Sequence, residues 1–518
     1  MFGEHDVLVG KDRFGMSKLS SMIVRVSPRQ GGPPTAGAGV TLLSCLRVGL
    51  ATTINVLANA VTLGYYIWLE GRVRRGSFLN WGRHYRYKPK PFKKPKTEQQ
   101  IIEYVNGSAR LRVCGSGHSF NSGIVSEQTL MSLDDYRGCV RYDPELKQMT
   151  VRGGTRIREV VRLLRAKELA FPALPSHDAQ SIAGVLSTDV HGTSSCTKRG
   201  FISESVVRLR LVDGRGETHE CGPSDDLFKA AVGGIGAVGV ITEVVVQGVD
   251  RFDVEQRVEG RRLSEVERNL DRLVEKHDHL SLYIFPFSDI CQVNIWERTT
   301  EPRSRLGRQR EFLNISIDVL LAAWFGGLVA YMRWLDKERL RAITAIVRGA
   351  EVLSSLVLES NRAFNRTLYH LHQELEFSVP FDEALPTCRR FIDLYEKMYE
   401  KERVPFTLIE VRFTPAGHDR TLIGPGGDRR CAWIDLICND SRGVKSYYAA
   451  AEDVINDPEE AVNQIGARRH LGKWCEGLDR AEMARLYGPK FDKFLELVKH
   501  HDPQQKFANE FTRRLFDP

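Results

Sequence analysis

The sequence predicts an α+β protein of two domains behind an N-terminal apolar segment, and three observations carry that reading. Short runs rich in Val, Ile and Leu alternate with helical stretches and glycine-rich connections from about Gln99 to Val249. From about Arg251 the helical stretches lengthen. Ahead of both, Val48–Leu69 holds 22 residues without a charge. At 518 residues the chain is too long for one ordinary core. Its 42% hydrophobic and 27% charged residues suit a folded globular protein.

The segment 1–77 reads as a leader. Residues 1–40 carry Gly-Gly-Pro-Pro at 31–34 and no sustained periodicity. The 48–69 stretch is long enough to span a bilayer, which needs about 20 residues. It ends in Tyr65, Tyr66 and Trp68, followed by Arg72, Arg74 and Arg75, as an interfacial belt and charged anchor do. Asn55 and Asn59 lower its hydrophobicity and leave a buried or amphipathic helix as the alternative. Between Arg72 and Lys96 stand ten Lys or Arg and no Asp or Glu, a run that sets topology or meets anionic lipid. The expectation is membrane association, in the endoplasmic reticulum or mitochondrial membrane of a eukaryote or a bacterial inner membrane, with residue 72 onward facing the cytosol. No nucleic-acid partner is expected, because neither a groove-reading motif nor zinc spacing accompanies the charge. Val319–Leu335 is a second apolar run, but its uncharged part is only 14 residues, which favours a core or interfacial helix. The ten cysteines are scattered without a CxxC pair, as reduced thiols are, and no metal site is expected.

In the first domain, 78–250, Arg110–Cys114, Thr150–Arg152, Val206–Val212 and Val240–Val246 read as strands. Ile157–Lys167 reads as an amphipathic helix with Val160, Val161 and Leu164 on one face. The second domain, 251–480, mixes helices (Ser264–Lys276, Thr387–Glu400) with strands (Leu280–Pro286, Phe406–Thr414, Cys431–Cys438). A helix Ala481–Lys499 opens the terminal segment 481–518.

Gly234-Ile-Gly236-Ala-Val-Gly239 matches the glycine fingerprint of dinucleotide-binding folds in spelling but not in context. That fingerprint needs a strand before it and a helix after it. Here a helical stretch, Asp226–Ala231, precedes the glycines and a strand follows, so a Rossmann site is rejected. Arg112-Val-Cys-Gly-Ser-Gly-His-Ser119 follows a strand with a tight turn. Its glycines allow amides to converge on a phosphate, and its histidine is held against whatever the turn binds. Alone, such a histidine is more often a surface or capping residue. Ser181–Gly192 and Gly236–Glu243 supply two further glycine-containing loops of small residues.

Together with Phe78-Leu-Asn-Trp-Gly82 and Pro95–Thr97, these segments stand in an order that resembles the vanillyl-alcohol-oxidase superfamily of FAD proteins. Within it, the aldonolactone oxidase group is most similar, which includes gulonolactone, arabinonolactone and galactonolactone enzymes and the related alditol oxidases. The resemblance covers residues 78–518. It implies a two-part FAD-binding domain and a substrate (cap) domain, with 481–518 packing back on the FAD domain. It places Gly115, Ser116, Gly117, His118, Ser119, Ser181, Gly184, Ser187, His191, Gly192, Gly239 and Ile241 at the cofactor, with the flavin covalently bound through His118. Glu410-Val-Arg412 matches a Glu-x-Arg pair that holds the substrate. Without the resemblance, the pair reads as a surface ion pair on a strand face. His470-Leu-Gly-Lys473 resembles the family's His-Trp-Gly-Lys, where the lysine stabilises the reduced ring. Leu471 departs from the usual tryptophan and puts the pocket shape in doubt. Asp502–Asn509 resembles the closing signature, and Pro175 falls at the position that gates oxygen.

The implied reaction is oxidation of a sugar 1,4-lactone to an ascorbate-type product by hydride transfer to FAD, with oxygen as acceptor. Alditol oxidation, and a dehydrogenase using cytochrome c or a quinone, are the near alternatives. A non-catalytic, membrane-anchored flavin scaffold is the alternative from another class, and it requires none of His118, Glu410, Arg412 and Lys473.

Overall fold

Three short antiparallel strands, Arg72–Arg74, Ser77–Leu79 and Arg86–Tyr87, precede a small parallel sheet of β1 (Phe92–Lys93), β2 (Leu111–Cys114) and β3 (Thr129–Ser132) in the order β1-β3-β2. Helix α1 (Glu98–Asn106) joins β1 to β2; Thr97 caps it by accepting the Gln100 amide, and Ile101 and Val105 are buried one turn apart. The computed structural model describes residues 72–517 apart from 75–76, 83–84, 90, 127, 195–198, 304–337, 339, 341–354, 365–371, 406 and 439–443. The leader 1–40 and the apolar segments 48–69 and 319–335 therefore lie outside the described residues. Among those described, no helix is long and apolar enough to cross a membrane.

Strands β4 (Cys139–Asp143), β5 (Gln148–Arg152), β6 (Val206–Val212), β7 (Thr218–Cys221) and β8 (Val240–Gln247) form an antiparallel sheet in the order β7-β6-β8-β5-β4. β8 is rich in β-branched residues, which suit a pleated and mostly buried surface. Helix α2 (Ile157–Arg165) turns Ile157, Val160 and Leu164 into the core. It ends before the Lys167 expected from sequence, because the chain turns back through a left-handed Glu168, φ 57°. Ser181 caps the short α3 (Ile182–Ser187). Helix α4 (Asp226–Ala231) precedes the 234–239 glycines and β8 follows them, so no helix N-terminus faces that run.

The next sheet has eight antiparallel strands: β9 (Asp253–Arg262), β10 (His279–Ile284), β11 (Ile290–Thr299), β12 (Ser355–Glu359), β13 (Gln373–Pro380), β14 (Thr407–Thr414), β15 (Cys431–Cys438) and β16 (Arg468–Arg469). Their order is β12-β9-β11-β10-β14-β15-β13-β16. Strand alternation divides its two faces. Leu375, Phe377, Ile409, Val411, Ile434 and Leu436 join a core shared with α5 (Leu263–Lys276), α6 (Ala384–Glu402) and α7 (Val444–Asn456). The intervening residues are Glu374, Glu376, Glu410, Arg412, Trp433 and Asp435, which point to the other face. That polar face is also buried, with Glu376, Arg412 and Asp435 all below a tenth exposed.

The chain closes with α8 (Arg480–Tyr487), α9 (Pro489–His501) and α10 (Glu510–Phe516), which set Met483, Tyr487, Phe491, Phe494 and Phe511 into the core of the five-stranded sheet. Sequence periodicity predicts a single helix over Ala481–Lys499. It is broken instead at Gly488, whose φ is 49°, and Pro489 starts the next helix without needing an amide partner. Buried Arg112 ties these parts together. It donates to the carbonyls of Gly123 (2.7 Å), Phe507 (2.6 Å) and Ile235 (2.9 Å), joining β2, the C-terminal tail and the glycine run. Burial pulls its pKa down to about 10, which still leaves it charged at neutral pH.

Candidate functional site

A cavity partly open to solvent lies between the polar face of the eight-stranded sheet and three loops of the first domain. The loops span residues 115–121, 175–191 and 235–241. Two of them approach each other through a glycine, since a Cβ on Gly115 would stand 2.0 Å from Ser181 Oγ. The third turns through Gly239, φ 154°, where a Cβ would meet the Val212 carbonyl at 2.7 Å. Gly236, φ 74°, faces open space, with only Gly239 O near the limit of contact.

The 115–121 turn is fastened from behind. The Trp81 amide donates to Gly117 O at 2.8 Å, and Asn80 Nδ2 donates to Ser119 O at 3.0 Å. Gly117 itself takes φ 71°, a left-handed conformation that favours glycine. Trp81 stacks on the His118 ring with centroids 5.3 Å apart, and His177 lies 4.3 Å from His118. Burial, reinforced by the neighbouring His118 and His372, holds the His177 imidazole well below its ordinary pKa. Asn121 Nδ2 donates to the carbonyls of Leu471 (2.6 Å) and Lys473 (2.8 Å), and the Phe120 amide to Gly472 O (2.9 Å). The 470–473 segment is thereby docked across the cavity onto the turn.

The opposite wall is ionic. Arg412 donates to Glu376, and Lys473 donates to Glu374. Lys473 Nζ also stands 3.7 Å from both Glu376 and Asp435. Burial disfavours the charged carboxylates, yet Arg412 and Lys473 outweigh it at Glu376, and Lys473 and His372 outweigh it at Glu374; both carboxyls lie well below the usual range. Burial also opposes the cations, and their carboxylate neighbours again prevail, raising Lys473 and Arg412 above their ordinary values. Asp435 goes the other way: burial and repulsion from Glu374 push its carboxyl well above the usual range. Burial drives His470 down to about 3, and its Nδ1 accepts the Gly472 amide at 3.0 Å. His191 is likewise lowered, by burial and then by Arg412, and its ring stacks on Trp433 at 3.7 Å.

Most of the residues singled out from sequence meet here. Gly115, Ser116, Gly117, His118, Ser119, Pro175, Ser181, Gly184, Ser187, His191, Gly239, Ile241, Arg412 and Lys473 all line the cavity. Two do not. Gly192 sits behind the wall, where a Cβ would stand 2.6 Å from the Leu174 carbonyl, so its smallness serves packing. Glu410 shares a face with Arg412 but lies two residues along β14, about 6.6 Å away at strand spacing. There it pairs in register with Asp435 and Tyr283 and is no part of the cavity lining. Sequence reasoning missed Glu374, Glu376 and His372, which do line it. Their signal was the alternation Glu-Leu-Glu-Phe within Gln373–Pro380, two carboxylates on one face of an otherwise apolar strand.

The 187–192 loop is fixed by a second buried pair. Asp189 takes φ 49°, accepts from Ser203 Oγ at 2.9 Å, and faces His418 Nε2 at 2.8 Å. His418 comes from the β14–β15 connection and stacks on Phe201 at 3.6 Å. Burial opposes its protonation, but the Asp189 carboxylate outweighs burial and Glu204 adds to it, raising the pKa to about 9.

A fold of this kind occurs in solved structures. Cholesterol oxidase from Brevibacterium sterolicum superposes with a TM-score of 0.66 over 85% of this chain and 96% of its own, at 15% identity, a likeness of fold alone. Residues 89–222 match the family described as "FAD binding domain". Fold and match together define an FAD-dependent oxidoreductase of the vanillyl-alcohol-oxidase class. More than half of the chain, residues 244–515, matches the family described as D-arabinono-1,4-lactone oxidase, and the chain belongs to that family. Similar relatives include L-gulono-1,4-lactone dehydrogenase of Mycobacterium tuberculosis, 26% identical over 85% of this chain and 99% of the relative. L-gulonolactone oxidase of Scyliorhinus torazame is 24% identical, covering 85% and 98%. D-arabinono-1,4-lactone oxidase of Candida glabrata is 27% identical over 45% of this chain and 46% of its own.

The His418–Asp189 pair gives stability a pH dependence of known sign. His418 is raised from 6.5 to about 9 on folding, so its contribution is fully present below pH 6.5 and is lost as pH rises through about 9. The loss is on the order of 3 kcal/mol by linkage. Urea unfolding of the wild type should show that decline, and His418→Gln should flatten it while lowering stability at pH 6. An equally steep decline in the variant would assign the dependence to other groups.

Proposed function

We propose that the protein oxidises a sugar 1,4-lactone of the gulono- or arabinono- type at this cavity. The observation that carries the reading is the cavity wall itself: Arg412 and Glu376 are buried there as a pair, yet Arg412 Nε and Glu376 Oε2 keep no hydrogen-bond partner among the described residues. A buried donor and acceptor left over at one place suit a small molecule that carries both a carbonyl and hydroxyl groups. The relatives named for lactones point to the same substrate class.

Bound FAD supplies the hydride acceptor in such a reaction. The glycine loops fit it, being drawn together where Cβ atoms would collide and open at Gly236. Arg412 orients the carbonyl oxygen through its planar fork, and Glu376 keeps that fork in place. Lys473 stays protonated and holds positive charge beside the site where negative charge develops. Glu410 acts through Arg412, whose positive charge it helps to hold from two residues along β14. His118 is the residue proposed to carry the flavin covalently; its place on the cavity wall and its stacking on Trp81 support this. Pro175 lies on the same wall, and oxygen is the proposed electron acceptor. Membrane attachment through residues 48–69 is proposed from the uncharged run and its basic flank.

Anaerobic mixing with L-gulono- and D-arabinono-1,4-lactone should bleach the flavin, and admission of air should restore its colour within seconds. Bleaching by polyols but not lactones would make the protein an alditol oxidase, no bleaching at all would leave only a scaffold, and slow recovery in air would mark a dehydrogenase. Arg412→Lys should lower the bleaching rate by about 100-fold with FAD content unchanged, because a point charge cannot reproduce an oriented fork.

Acid-precipitated protein should keep flavin fluorescence on a denaturing gel, and His118→Ala should release it. Loss of all colour from the wild type to the supernatant removes the covalent bond from the proposal.

A chain beginning at Ser77 should leave the membrane fraction with its flavin intact, whereas the full-length chain should need detergent. Full-length protein that is soluble without detergent contradicts the attachment.

A further inference from the structure

Outside the cavity, Asp213, His219 and His501 converge from three elements. Asp213 follows β6 at the hairpin turn, His219 lies on β7, and His501 ends α9. The carboxylate is held in a fixed orientation, because Asp213 Oδ1 accepts the amides of Arg215 (2.9 Å) and Glu217 (3.0 Å). That leaves Oδ2 facing both imidazoles, 2.9 Å from His219 Nε2 and 3.4 Å from His501 Nδ1. The helix end is fastened to the same turn, with the Gly214 amide donating to His501 O at 2.8 Å. The two rings meet edge to face at 4.9 Å. Asp213 and His501 are buried, while the His219 side chain keeps 27% of its surface exposed.

We propose that Asp213, His219 and His501 bind a borderline divalent transition metal, Zn²⁺ in the first instance, that clamps the C-terminal helix α9 to the β6–β7 hairpin. Two imidazoles and one carboxylate are a common three-protein-ligand set for such an ion, and water completes it through the exposed edge of His219. Ligand bonds of about 2.0–2.1 Å in a tetrahedron separate donor atoms by about 3.3 Å. The two oxygen–nitrogen separations already bracket that value. The three donor atoms lie within 4.8 Å of one another, so a small rotation of His219, the least buried of the three, closes the set. The fixed carboxylate plays the part of a preformed ligand, since its other oxygen is already committed to the turn. The site is independent of the flavin chemistry: none of its three residues lines the cavity.

The test uses flavin-loaded, full-length protein stripped with EDTA and titrated with Zn²⁺ against a chromophoric chelator. One Zn²⁺ per chain is expected, with affinity falling at least tenfold in His219→Ala and in His501→Ala. The visible flavin spectrum should stay unchanged, which shows that both variants remain folded. Cu²⁺ bound to the oxidised protein should show hyperfine coupling to two imidazole nitrogens by electron paramagnetic resonance, reduced to one in either variant. No Zn²⁺ bound by the wild type, or the same affinity and the same nitrogen count in the variants, overturns the proposal.

Discussion

Burying Arg412, Lys473, Glu374 and Glu376 on one face of a sheet costs each its hydration, several kcal/mol per ion even after relaxation. Mutual pairing is what makes that face tolerable. Two cations meet two carboxylates held low in pKa, while burial and repulsion from Glu374 raise the fifth group, Asp435, and so oppose a third negative charge. The charges on the wall are therefore paired, and each member is held where its partners put it. A site built this way does not need to reorganise when charge develops beside it. Removing one member strands its partner, so the face behaves as one unit, and the geometry of the cavity depends on it.

The parts of this site that could be read from sequence are those whose signal is local. A turn spelled Gly-Ser-Gly-His after an apolar strand, or small residues around a capping serine, announces its backbone geometry within a few positions. Ser181 does cap its helix, and Gly117 does take a positive φ. Strands β6, β8, β14 and β15 and helices α2, α5 and α6 were legible for the same reason, because their pattern repeats over a handful of residues, whereas β9, β11 and β13 and the helices α1, α7 and α10 were not singled out. Gly488-Pro489 was a local signal too. It was overruled by the amphipathic pattern running through it, although a glycine before a proline is where such a pattern should be cut.

Glu374 and Glu376 were harder because their signal is ambiguous at short range. Alternating carboxylates in a strand ordinarily mark a solvated face, and only the packing of a second domain over that face turns them inward. The same blindness explains Glu410. Alternation gave it the face of Arg412, but a shared face does not place a residue on the cavity lining, and Glu410 lies opposite Asp435 and Tyr283 instead. Leu471 shows the converse. The segment 470–473 docks through its backbone, with Asn121 on two of its carbonyls and Phe120 on a third. A leucine in place of the family's tryptophan leaves those bonds intact and changes only the side chain presented to the cavity.

Two of the three loops that line the cavity are also bonded to residues from the other half of the fold. Asn121 and Phe120 hold the 470–473 segment against the 115–121 turn, and His418 holds Asp189 beneath the 187–192 loop. Arg112 joins the glycine run to the C-terminal tail. Leaving any of these buried groups unsatisfied would cost about 1–3 kcal/mol, and more for the charged ones. Such a penalty is large against the few kcal/mol by which a domain is stable. Loops rich in glycine would otherwise sample many conformations, so their order comes from these contacts and not from their own composition. The cavity is thus a property of the assembled pair of sheets.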